Sequence, residues 1–193
     1  MLTLFKTMIL SKLDYCSPVY HPASSISLTT KIERVQRAFT RKIEGMNGVD
    51  YWMRLKLLRL YSVERRRERF VIIYLFKMLH GFVPNIGMTF TENDRTGIHF
   101  HQPAINKKAT TCFKNMKTQS FSYAAARIYN SLPRHLKQKQ RLAENFDKGK
   151  VVEGFKKELD CFLTKLPDQP TTAGLTRAAD TNSIVDQIKY IED

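Results

Sequence analysis

Carboxylates are scarce in this chain: 18 Asp and Glu stand against 32 Lys and Arg, leaving a net charge of +14. Such a field draws polyanions. Nucleic acid is the commonest one inside cells, and acidic membrane surfaces and acidic proteins obey the same electrostatics. Long apolar runs are also missing. The longest, Phe70 to Phe76, falls far short of the roughly 20 residues that cross a bilayer, so no transmembrane helix is expected. Lys6 and Lys12 interrupt the apolar start and no small-residue cleavage site follows, which argues against a signal peptide and for an intracellular chain, nuclear or cytoplasmic. The three cysteines, Cys16, Cys112 and Cys161, are odd in number and far apart. That pattern excludes a disulfide framework and reads as reduced thiols, each a small core residue.

Chemistry-bearing constellations are thin as well. Glycine-rich phosphate loops do not occur. The histidines at 21, 80, 99, 101 and 135 accompany no serine or cysteine elbow, so no nucleophile site is expected. His99-Phe100-His101 with Cys112 lacks a fourth ligand at zinc spacing, and no metal or other cofactor is implied.

What the chain does have is helical periodicity. Hydrophobic residues make up 42% of it and charged residues 26%, the balance of a globular protein. Leu2, Phe5, Ile9 and Leu13 fall on one helical face, and the helix is expected to stop near Ser17–Pro18 and His21–Pro22. Ser25 or Ser27 is placed to cap the next helix. There Leu28, Ile32, Val35, Phe39, Ile43 and Met46 recur at steps of three and four, the spacing of an amphipathic helix with that stripe turned inward. At 100° per residue Arg34, Arg37 and Arg41 gather in an arc almost opposite the stripe, with Lys31 and Lys42 beside them.

A short segment with Leu55, Leu58 and Leu60 inward leads to a helix over 62–80. Its first half is charged, Glu64-Arg65-Arg66-Arg67-Glu68-Arg69, and its second half nearly all apolar, which predicts one wet end and one dry end. Phe70, Ile73, Tyr74, Leu75 and Met78 are expected at the centre of the core. The aromatics Phe70, Tyr74, Phe76 and Phe82 read as core packing rather than as base-stacking platforms. Residues 83–118 have no sustained period and read as an irregular connection with one or two short strands. Helices resume over 120–132, with Phe121, Ala125, Ile128, Tyr129 and Leu132 inward, and over 151–166, with Phe155, Leu159, Phe162 and Leu166 inward. Beyond Pro167 the chain is polar and mildly acidic and is expected to be disordered, although Ile184, Ile188 and Ile191 have the spacing of a short helix. The fold class expected is all-α: an irregular helical bundle over 1–82, a loop-rich connection over 83–118, a helical segment over 119–166 and a disordered tail over 167–193.

Several phrases carry a family likeness. Leu13-Asp14-Tyr15-Cys16-Ser17-Pro18-Val19-Tyr20 is followed by Lys31-Ile32-Glu33-Arg34-Val35-Gln36-Arg37; then come Arg54-Leu55-Lys56-Leu57-Leu58-Arg59-Leu60 with Glu64-Arg65-Arg66, and Tyr74-Leu75-Phe76-Lys77-Met78-Leu79-His80-Gly81. Later stand Ala126-Arg127-Ile128-Tyr129-Asn130-Ser131-Leu132-Pro133 and Phe155-Lys156-Lys157-Glu158-Leu159. Their order over residues 4–165 resembles the region after the catalytic palm in reverse transcriptases of jockey-like non-LTR retrotransposons, RNA-directed DNA polymerases of mobile elements. Tyr129 stands where that family usually has tryptophan, and the span from Leu136 to Val151 looks expanded.

The resemblance implies a thumb-like helical region without polymerase activity of its own. The family's polymerase needs paired aspartates for two metal ions, and no Asp-Asp pair occurs here; fingers, palm and endonuclease would lie before Met1. It implies that Lys31, Arg34, Arg37, Arg41 and Lys42 grip the phosphates of RNA or an RNA–DNA hybrid, as thumbs of related polymerases do. The plain alternative is a solvated helix face. Arg65, Arg67 and Arg69 are candidates for a second phosphate site, whereas Arg66 is expected to pair with Glu33, Glu64 or Glu68. The rival to nucleic-acid binding is an inert or protein-binding helical domain whose exposed apolar surface takes the palm or another protein.

Overall fold

The computed structural model describes residues 2–15, 26–108, 110–138, 147–170 and 182–188. The expected breaks at Ser17–Pro18 and His21–Pro22, the Ser25 cap, Cys16 and Ile191 lie outside the described residues, as do the side chains of Ser27 and Leu28.

The chain opens as α1 (Leu2–Leu4), passes through a π-helical stretch (Phe5–Leu10) and ends the element as α2 (Ser11–Asp14). The wider turn changes which side chains go inward. Regular α spacing sets Phe5 beside Ile9, whereas in the π stretch Phe5 and Leu10, five residues apart, are the two buried ones. α3 (Ile26–Arg41), α4 (Tyr51–Leu58) and α5 (Val63–Leu79) follow. Asp50 caps α4 by accepting from the Trp52 N–H, and Ser62 caps α5 by accepting from that of Arg65.

Two apolar clusters share the molecule. The smaller joins Phe5 and Leu10 to Tyr51, Leu55 and Leu60, with Phe39 of α3 stacked on Phe5 at 4.2 Å between ring centroids. The larger is built on α5, whose Ile72, Leu75 and Phe76 are sealed by α7 (Phe121–Asn130) and α9 (Lys148–Leu163). The seam between the clusters therefore falls near residue 60, and the larger core draws on residues from both sides of residue 82. Of the residues expected at its centre, Ile73, Leu75 and Met78 are buried, while Phe70 and Tyr74 are half-buried.

Residues 83–118 are more regular than their sequence suggested. β1 (Phe90–Asn93) and β2 (Gly97–Phe100) form an antiparallel hairpin with Phe90 opposite Phe100, and α6 (Thr111–Gln119) follows with Thr110 as its cap. Ile98 and Phe100 reach the larger core. At Gly97, φ is +76° and an added Cβ would lie 3.0 Å from Lys137 Cβ of α8 (Arg134–Lys137), so this turn requires glycine. Asn130 clamps β2: its Oδ1 accepts from the Phe100 N–H at 2.9 Å and its Nδ2 donates to the Phe100 carbonyl at 2.9 Å. Tyr129 meets the Phe100 ring edge-on at 5.0 Å. The Tyr129-Asn130 phrase thus has a structural task, holding a hairpin to a helix.

Within the expected tail, the described stretch 182–188 takes up the short helix whose spacing Ile184 and Ile188 display. Asn182 to Ile188 include α10 (Ile184–Gln187), and Ile184 is fully buried in the larger core. Glu68 Oε1 accepts from Ser183 Oγ at 2.5 Å and its Oε2 from the Ile184 N–H at 2.6 Å. Asp168 accepts from the Ser62 N–H and from Ser62 Oγ, both at 2.7 Å, and from Asn182 Nδ2 at 2.6 Å. Composition hides this docking because specific polar contacts, rather than an apolar run, fasten the segment. Cys112 and Cys161 are exposed rather than in the core, since helices α6 and α9 turn other faces inward.

Candidate nucleic-acid interface

The candidate surface is α3, and what orients it is a buried polar wedge. Glu33 is 8% exposed, and Gln36 and Thr40 are fully buried. The hydroxyl of Tyr51 donates to Glu33 Oε1, and the Val63 N–H donates to Glu33 Oε2 at 3.0 Å. Gln36 Nε2 donates to the Tyr61 carbonyl at 2.9 Å, and Gln36 Oε1 accepts from Arg66 Nη2 at 2.7 Å. One helix is thereby tied to the start of α4 and the start of α5. Burial raises the Glu33 carboxyl above its usual range against the pull of these hydrogen bonds, and it raises the Tyr51 hydroxyl as well, with Glu33 adding to that shift.

This wedge is not the apolar stripe that the sequence pointed inward. It is turned about a quarter turn from it at 100° per residue. The stripe instead flanks the N-terminal helix: Phe39 stacks on Phe5, Ile32 and Ile43 are half-buried, and Val35 is 44% exposed. The difference arises because α4 and α5 approach α3 from the side where hydrogen-bonding groups, not methyl groups, wait for them.

Even so, the basic row stays outside. Lys31, Arg34, Arg37, Arg41 and Lys42 are all exposed. From Arg34 to Arg41 the helix climbs about 10 Å, the axial length of roughly three phosphates on one strand. None of the five forms an ion pair with a described residue. Arg37 is the best held of them, its guanidinium 4.6 Å from the centre of the Tyr51 ring.

The α5 arginines part company with this row. Arg65 is fully buried and its Nη2 donates to the Pro167 carbonyl at 2.8 Å. Arg67 is 8% exposed and donates to the Leu13 carbonyl at 3.2 Å. Arg69 holds Asp160 with both Nε and Nη2, at 2.6 and 2.7 Å. Of the second candidate phosphate set, Arg65 and Arg67 are turned inward, and half-buried Arg69 is taken by Asp160. The charged half of α5 is largely covered because α2, α3 and the chain beyond α9 close over it. Arg66 does meet a carboxylate, but that of Asp14, at 3.1 Å and without hydrogen-bond alignment. Burial lowers its guanidinium's pKa while Asp14 opposes the shift.

A helical wheel carried the warning for one of them: Arg65 sits seven and eleven residues before Ile72 and Phe76, on the face that enters the core. Arg54 stands in the Arg54–Leu60 phrase without a signal that it is interior. It is 4% exposed and lies 5.6 Å from the Tyr51 ring, under the same aromatic that carries Arg37.

Elsewhere, the His99 and His101 rings lie 6.3 Å apart with Cys112 on an exposed helix, and among the described residues no group of three or more His, Cys, Asp or Glu is placed to hold a metal. No described helix is long and apolar enough to cross a membrane. No family model, no curated protein and no solved structure matches this chain.

Proposed function

We propose that this chain is the thumb-like, non-catalytic helical region of a jockey-like reverse transcriptase, and that α3 grips the backbone of RNA or an RNA–DNA hybrid without reading its sequence. The observation that carries this reading is the contrast between two arginine sets. Lys31, Arg34, Arg37 and Arg41 stand exposed on α3 with Lys42 just past its end, while Arg65 and Arg67 are occupied inside the protein and half-buried Arg69 is held by Asp160. A helix presenting cations over the span of a few phosphates releases counterions on binding and has no groove-reading geometry to prefer one base over another.

Roughly five phosphate contacts give a slope of log affinity against log salt near −4.5, or about a 500-fold loss between 50 and 200 mM. Fluorescence anisotropy with RNA–DNA hybrids of two unrelated sequences checks this, and both should give the same slope and affinity. Strong sequence preference, or binding insensitive to salt, would end the proposal.

A second reading has its own observation. Leu4 is 60% and Met8 57% exposed, and with Ile9 and Leu13 they line an apolar groove on the N-terminal helix. Such a surface suits a protein neighbour, the polymerase palm or another partner. Light scattering in the same salt series separates the readings: assembly that persists at high salt favours the protein partner, and a monomer throughout favours α3 as the working surface.

A further inference from the structure

A groove of about 720 Å³ opens where the two apolar clusters meet, between α4 and the end of α9. Its floor is Leu55, Leu163 and Leu166, all buried, and its wall includes Trp52, the one tryptophan of the chain. The volume falls within the range of sites that enclose a small organic group. Its rim is cationic: Lys56, Arg59 and Lys165 are exposed there, and none of them forms an ion pair with a described residue.

The carboxylates that also line this groove are committed elsewhere. Asp160 is held by both Arg69 nitrogens, and Asp168 accepts from Ser62 and Asn182. The groove therefore presents positive charge around an apolar, aromatic interior. Arg59 reaches the rim from a left-handed backbone at φ 50°, the one described residue other than glycine with positive φ. Glycine would relieve that conformation.

We infer that this groove takes an unpaired nucleotide of a single strand, its base against Trp52 and its phosphates on Lys56, Arg59 and Lys165. Aromatic stacking is open to any base but needs a free base face, which a duplex interior withholds, and a cationic rim beside it tracks the strand. An acidic peptide would satisfy the rim but leave the indole and the leucine floor without a flat partner. The inference rests on the nucleic-acid reading above and adds to it a second, single-strand site.

All tryptophan emission of the full chain comes from Trp52, whose ring lies on the groove wall and also 6.0 Å from the Arg37 guanidinium, so a rim variant is what separates quenching in the groove from quenching at α3. The probes are a 12-nucleotide oligothymidylate, an abasic deoxyribose-phosphate 12-mer of equal charge, and a 12-residue oligoglutamate. Quenching by the first and not by the other two is expected. The variant Lys56→Gln/Arg59→Gly/Lys165→Gln, whose changes are all at the surface and relieve the φ 50° strain, should shift the quenching midpoint at least tenfold. Trp52→Leu, followed by anisotropy of labelled oligothymidylate, should weaken binding about 5- to 100-fold, the worth of one stacked base. No quenching by oligothymidylate, equal quenching by the abasic strand, quenching by oligoglutamate, or a midpoint unmoved in the rim variant would overturn the inference. The two readings fail separately. Hybrid binding that depends on α3 without any Trp52 quenching sinks only the groove, and quenching that persists while hybrid binding ignores α3 sinks only the backbone grip.

Discussion

Phe155→Ala is expected to remove about 3–5 kcal/mol of stability, the usual cost of truncating a fully enclosed phenylalanine. Phe155 is 1% exposed and stacks on Phe76 of α5 with centroids 3.9 Å apart and planes within 7°. The pair joins α9 to α5, and Leu75, Leu159 and Ile128 of the same core are buried and close-packed, which limits collapse into the gap. Since a domain of this kind holds only about 5–15 kcal/mol in total, a third or more of that margin can be lost with this one ring. Urea titration measures it directly. Phe113→Ala, at a site 49% exposed, should change stability by less than about 0.5 kcal/mol and serves as the contrast. A cost below about 1 kcal/mol for Phe155→Ala would mean that α9 does not pack on α5 as described.

The second large effect depends on pH and centres on Glu68. Burial pushes its carboxyl up to about 7, against hydrogen bonds from Ser183 and Ile184 and the nearby charge of Arg65, all of which favour the ionised form. Glu64, partly exposed one turn earlier, is raised to about 8 by burial and by its neighbours Glu68 and Glu33. The sign follows from linkage. An acid whose pKa is higher in the folded chain than in the unfolded one binds its proton more tightly when folded. Its stabilising contribution is complete below the unfolded value, near 4.5, and is lost as pH rises through about 7. The loss attached to Glu68 is about 3 kcal/mol. Urea midpoints should therefore fall between pH 5 and pH 8 in the native chain. Glu68→Gln keeps an acceptor for the Ile184 N–H and cannot ionise, so its midpoints should fall less, the remaining fall belonging to Glu64. Identical pH profiles for the two proteins, or stability that climbs with pH, would show that Glu68 sits in a wetter place than the fold gives it.

Local periodicity made most of the helices legible. The stretch 120–132 became Phe121–Asn130, 151–166 became Lys148–Leu163, and 62–80 became Val63–Leu79, giving a mostly helical chain as the pattern required. Short-range signals served because a helix is closed by bonds between residues four apart and is stopped by Asp, Ser or Thr caps that a sequence displays openly.

What stayed hidden was the direction each helix faces. The wedge of Glu33 and Gln36 is held by partners 30 and 25 residues away, and Arg65 by one 102 residues away, distances at which no pattern in the sequence points to a partner. Buried polar residues look like surface residues until their partners are known. That is why Arg65, Arg67 and Arg69 read as a phosphate site although the first two are interior and the third is taken by Asp160, and why the Val35 stripe read as core and proved half open. Leu10 in place of Ile9 has a different cause, a π turn that changes the count within a helix whose apolar residues fit an α pattern equally well. The α3 cations kept their exposure through all of this because they lie outside the arc that any neighbour covers.

The most direct test is therefore hybrid binding by Arg34→Gln/Arg41→Gln, a pair of changes that leaves Arg37 on Tyr51 and the Glu33 wedge intact. With anisotropy followed from 50 to 300 mM salt, losing two phosphate contacts should make the slope of log affinity against log salt shallower by about 2, with the urea midpoint unchanged. A slope equal to that of the native chain would place the nucleic acid somewhere other than α3 and contradict the account.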